Sequence, residues 1–138
     1  MTKECIENII VTSTILRFHN NTRDPFVIAE KQGIKITYCD LDPSIIKGSS
    51  YYSETKKEIR INKNYSYDKQ KIICAHELGH IILKHMGNAY YKDNDLDREY
   101  CANLFAVTLL FNNFDFNCSL TELTSYELQL ILDTNLKD

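Results

Sequence analysis

The sequence predicts an α+β fold: a small antiparallel three-stranded sheet packed with about four to five helices. Three observations lead there. Apolar residues recur at helical spacing at both ends of the chain. Strict alternation appears only in the middle, between Ile34 and Asn62. Glycine, proline and capping residues separate the two patterns at short intervals. The order is helix, helix, small sheet, then helices, in one domain covering residues 1–138.

Residues 4–18 place Ile6, Ile9, Ile10, Ser13 and Leu16 or Arg17 along one helical face. "NNTRDP" breaks the chain. Asp24 can cap a second helix, Pro25 suits its first position and Gly33 ends it. "IKITYC" alternates Ile34, Ile36 and Tyr38 and reads as a strand. "SYYSE" and "EIRIN" read as a hairpin around "ETKK". Ser66 or Asp68 can cap the next helix, which ends near Met86-Gly87. "NAYYKDNDLD" is a polar loop, and Asp95 or Asp97 starts a helix through "REYCANLFAVTLLF". Ser119 with Glu122 forms a capping-box pattern for a last helical stretch, "LTELTSYELQLIL".

Bulk composition narrows the function. At 138 residues the chain can build a hydrophobic core without disulfides. A net charge of −3 gives no basic excess for phosphate backbones, so direct nucleic-acid binding is not expected. Cys5, Cys39, Cys74, Cys101 and Cys118 are odd in number and contain no C-x-x-C pair, which fits reduced thiols rather than a disulfide framework. Cys74 and Cys101 lie in apolar runs and are expected to be buried. The N-terminus lacks a clean apolar run with a cleavage site, and no run approaches bilayer length. A cytoplasmic protein with no membrane partner is the expectation.

The chemistry lies in "KIICAHELGHIILKH". His76 and His80, at i and i+4, share one helical face, where two imidazoles can bind one tetrahedral Zn²⁺. Glu77 is rotated by about 100° from His76, within reach of water beside the metal rather than the metal itself. This is the H-E-x-x-H arrangement, with the glutamate as general base. Gly79 weakens the helix by about 1 kcal/mol relative to alanine, and the reading here is that it permits close approach of a backbone or substrate.

A third ligand is needed, with one position left open. His85 is five residues past His80, about 140° around the helix, and points away. Glu99 opens a stripe with Ala102, Asn103 and Ala106, whose small residues let two helices pack closely. Asn103 is placed to hydrogen-bond a ligand from behind. Spacing leaves Asp95 and Asp97 as rival ligands, since all three acids also suit a first helical turn.

At these residues the chain resembles the ImmA/IrrE family of zinc metallopeptidases. "DPFVIAEKQGIKI" resembles the family's opening helix and first strand, "IKGSSYYSETKKEIRIN" its hairpin, "KQKIICAHELGHIILKH" its catalytic helix and "EYCANLFAVTLL" its second signature. The resemblance implies a minimal zincin-like fold, zinc on His76, His80 and Glu99, and Glu77 as catalytic base. It also implies a zinc-dependent endopeptidase whose substrate is a regulatory protein, such as a helix-turn-helix repressor of a phage or mobile element. The chain departs from the family at Cys101, where members often carry glutamate, and at "FNNF", where many carry Met-Pro. A non-catalytic metal-containing binding module that inactivates or senses a regulatory partner would use the same ligands. For the oxyanion, Tyr52, Tyr90 and Tyr91 are sources to consider.

Overall fold

A computed structural model describes residues 2–85, 95–111 and 119–134. Helix α1 (Lys3–Asn20) starts where the Thr2 hydroxyl accepts the Cys5 N–H and ends at Asn21 in a left-handed turn. Its expected face is the buried one: Ile9 and Ser13 are fully buried, and Ile6, Ile10 and Leu16 pack at the margin. Helix α2 (Pro25–Lys31) is capped by Asp24, whose Oδ1 accepts the Phe26 N–H at 2.9 Å. Gly33 follows at φ 73°, where a β-carbon would be strained, and turns the chain into strand β1 (Lys35–Cys39).

Strands β2 (Gly48–Tyr52) and β3 (Lys57–Asn62) form the expected hairpin, with Ser50 opposite Ile59 and the turn closed by the Ser53 N–H on the Lys56 carbonyl. The α+β class holds, but the sheet is mixed rather than antiparallel. Its order is β1-β3-β2, and β1 runs parallel to β3. After β1 the chain crosses to the far edge, and the hairpin then returns β3 into the middle. Alternation in single strands carries no strand order, so the direction of β1 was not readable from it. Asn62 holds the crossover: its buried side-chain amide donates to the carbonyls of Leu41 (2.9 Å) and Ile46 (3.0 Å). Ile59 and Ile61 on the central strand are fully buried, while Tyr38 on β1 is exposed.

Helix α3 (Tyr67–His85) begins at Ser66, whose hydroxyl accepts the Lys69 N–H at 3.3 Å. It packs on the sheet with one side and on helix α4 (Asp95–Leu110) with another. Leu78, Leu104, Phe105 and Leu109 fill the centre. Cys74 and Cys101 are buried there too, as are Ala102 and Ala106. Arg23 donates to the carbonyls of Leu109 (3.2 Å) and Phe111 (2.9 Å), satisfying acceptors at the C-terminal end of α4.

The last helical stretch is divided. Ser119 caps only a short 3-10 turn, Leu120–Glu122. Helix α5 (Ser125–Thr134) has its own reciprocal cap: the Thr124 hydroxyl accepts the Glu127 N–H, and the Glu127 carboxylate accepts the Thr124 N–H.

Candidate metal centre

The site lies where α3 and α4 face each other. The i, i+4 spacing stacks His76 and His80, with ring centroids 4.7 Å apart and planes crossed at 82°. Glu99, from the first turns of α4, meets both. Its Oε2 is 3.0 Å from His76 Nε2, and its Oε1 is 3.1 Å from His80 Nε2. The two Nε2 atoms are 3.1 Å apart. These three side chains form a group able to hold a metal ion. Asp97 is not among them, and the side chain of Asp95 lies outside the described residues.

Asn103, one turn after Glu99, sets the chemistry of the nearer imidazole. Its Oδ1 is 2.7 Å from His76 Nδ1. An amide oxygen only accepts, so Nδ1 carries the hydrogen, and in the neutral ring Nε2 keeps its lone pair. That lone pair points at a carboxylate oxygen and a second imidazole nitrogen. Electron-rich atoms this close are repulsive unless a proton or cation stands between them. A donor set of two imidazoles and one carboxylate at such spacing fits a tetrahedral divalent ion with one open position.

The electrostatics of the metal-free site follow from the same geometry. Burial opposes charge on His76, but the Glu99 hydrogen bond, the Glu77 and Glu99 charges and Asn103 together raise its pKa. Burial and the neighbouring His76 push His80 down to about 4. The hydrogen bond from His76 lowers the Glu99 carboxyl against the effect of burial.

Glu77 is separate from this cluster in direction and burial. It is 9% exposed and receives a hydrogen bond from Ser50 on β2. Burial raises its carboxyl above the ordinary carboxylate range, although His76 and Ser50 oppose the shift. Gly48 lets β2 lie this close to α3. A β-carbon there would sit 2.5 Å from Ile73 Cγ2 and 2.9 Å from the Arg60 carbonyl. Ser50 and Gly48 were missed in the sequence because their relation to Glu77 depends on how the sheet docks on the helix.

Gly79 has a different role from the one expected. A β-carbon there would meet the Phe105 ring of α4 at 3.0–3.2 Å, so the glycine admits a neighbouring side chain in the core rather than substrate. Tyr52 lines the cleft over the site; Tyr90, Tyr91 and the side chain of His85 fall outside the described residues. The cleft encloses about 790 Å³ and is bordered by edge strand β2, α3, α4 and α5. Among the described residues no helix is long and apolar enough to cross a membrane.

No curated protein and no solved structure matches the chain significantly. A protein-family model does match: Peptidase_M78, described as IrrE N-terminal-like domain, over residues 29–135. The matched stretch contains His76, Glu77, His80, Glu99 and Asn103 and omits all of α1 and the start of α2.

Proposed function

Since the chain belongs to the ImmA/IrrE family of metallopeptidases, we propose that it is a zinc-dependent endopeptidase acting on a regulatory protein. The observation that supports this most is the convergence of His76, His80 and Glu99 beside a buried, cleft-facing Glu77. In this reading His76, His80 and Glu99 are the ligands, and Asn103 orients His76. Two imidazoles and a carboxylate favour zinc among the divalent ions. Zinc held there supplies a Lewis acid for the scissile carbonyl and lowers the pKa of water towards about 7.

The chain's own residues do the rest. Glu77, held by Ser50, takes the proton of the attacking water and returns it to the leaving amine. Burial of Glu77 raises its proton affinity, which suits a group that must take up a proton and pass it on. The cleft along β2 admits an extended segment, whose backbone can pair with the outer edge of the strand, the sheet's edge among the described residues.

The proposed substrate is a helix-turn-helix repressor of a phage or mobile element, met in the cytoplasm; family membership supports this, and the acidic chain is not itself suited to DNA. The whole chain, residues 1–138, acts as one domain in this reading, because α1 buries Ile9 and Ser13 against the core although it lies outside the matched residues. A metal-containing binding module would need the ligands but not a buried carboxylate beside them, which is costly to bury. Elemental analysis tests the ligand set. Wild type is expected to carry one zinc per chain, and Glu99→Ala and His80→Ala to carry little. Full zinc content in both variants would place the metal elsewhere.

A further inference from the structure

The cleft has a charge that its chemistry does not use. Among the described residues it is lined by two carboxylates, Glu77 and Glu99, and three cations, Lys47, Lys84 and Arg98. Both carboxylates are committed, one to the metal group and one to the proton. Among the described residues that leaves the charges of Lys47 and Lys84 with no carboxylate of the cleft to balance them, in a chain whose net charge is −3.

The cations have an order. Gly48 places the start of β2 against Ile73, one turn before Glu77. At the other end of β2, Tyr52 lies under Lys84, whose Nζ is 6.0 Å from the ring centroid. Strand β2 thus runs alongside α3. Lys47 stands at one end of the strand and Lys84 at the other, with Glu77 and Ser50 between them. Five residues of strand span about 13 Å between first and last. Lys47 and Lys84 are exposed, and neither is paired with a carboxylate among the described residues. Arg98 precedes Glu99 on α4 and adds to the field on the far wall.

We propose that Lys47 and Lys84 select substrate segments carrying an acidic side chain on each side of the scissile bond, about two to three residues away. The inference rests on the peptidase reading for the bond cut, but not for the charge preference. An extended segment along β2 has the same repeat as the strand, so side chains that far from the central bond come opposite the two lysines. Charge pairs at such a rim act on encounter and affinity more than on the chemical step.

Internally quenched peptide pools test this. Each has a randomised core of about four residues, flanked on both sides by Glu, Gln or Lys. The zinc-loaded protein is expected to cleave the Glu-flanked pool about tenfold faster than the Gln-flanked pool, and the Lys-flanked pool most slowly. The difference appears in KM rather than kcat and shrinks at about 1 M salt. Lys47→Gln with Lys84→Gln removes the preference, and Lys84→Glu weakens or reverses it. Equal cleavage of the three pools, or a preference that survives the double variant, overturns the inference. Fluorescence anisotropy of the same pools on zinc-loaded Glu77→Gln separates the two claims. Tightest binding of the Glu-flanked pool without any cleavage by wild type upholds the charge preference and sinks the peptidase reading. Binding without charge preference sinks the inference itself.

Discussion

Asn103 decides which nitrogen of His76 faces the site. By accepting from Nδ1 at 2.7 Å it leaves Nε2 facing Glu99 and His80 and fixes the ring's orientation. Asn103→Ala is expected to lower zinc affinity about 10- to 100-fold in chelator competition while Glu99 and His80 remain in place. Unchanged affinity would remove Asn103 from the site. His76, Glu77 and His80 were legible in the sequence because one helical turn brings i and i+4 together wherever the helix is placed. Glu99 was legible only as one of three acids, since spacing along α4 does not say which turn of it meets α3. The packing of Phe105 into the gap at Gly79 contributes to setting that register. Lys84 had a local signal, one turn beyond His80 on the same stripe. Ser50 had none.

The elements hold the site through two close contacts. The first is β2 on α3. Gly48→Ala puts a methyl group against Ile73 and the Arg60 carbonyl. It is expected to destabilise the fold by about 1–3 kcal/mol in urea unfolding, and to reduce cleavage by lifting Ser50 away from Glu77. Wild-type stability and rate together would show that β2 does not press on the helix there. The second contact ties β1 to β3, where Glu58 accepts the Thr37 hydroxyl at 2.8 Å. That bond lowers the Glu58 carboxyl below its ordinary 4.5; burial opposes the shift, and Lys56 and Arg60 add to it. A carboxylate lowered in the folded state favours folding above 4.5, and its contribution is lost as pH falls through the lower folded value. Glu58→Gln should therefore lower the urea midpoint at neutral pH, with the gap to wild type closing below pH 4.5. A gap that stays constant into acid would refute the assignment. The hairpin, both early helices and helix α3 were readable from capping and alternation. The parallel pairing of β1 was not, because it is fixed by Asn62 and the crossover loop rather than by any pattern within a strand.

Across the whole molecule, α1 is the element that the family match omits and the core includes. Ile9 is fully buried, and Thr108 on α4 donates to the Ser13 hydroxyl at 2.6 Å. Ile9→Ala is expected to cost about 2–5 kcal/mol. Loss of that size, read by urea unfolding, would tie α1 to the same cooperative unit as the site; a change near zero would mean that α1 folds apart from it. The periodicity of α1 announced a buried face, and composition announced a core, but neither named the helix that would cover it. The same division holds for function: one helix carries the legible motif, while the cleft that makes it useful is assembled from β2, α4 and α5 by packing. The central claim is that Glu77 moves the proton at a metal held by its neighbours. The most direct test is the rate at which zinc-loaded wild type and Glu77→Gln, matched for metal content, cleave the same quenched peptide pools. The expected result is equal zinc and a rate lower by about 10²- to 10⁴-fold in the variant; equal zinc with an equal rate would contradict it.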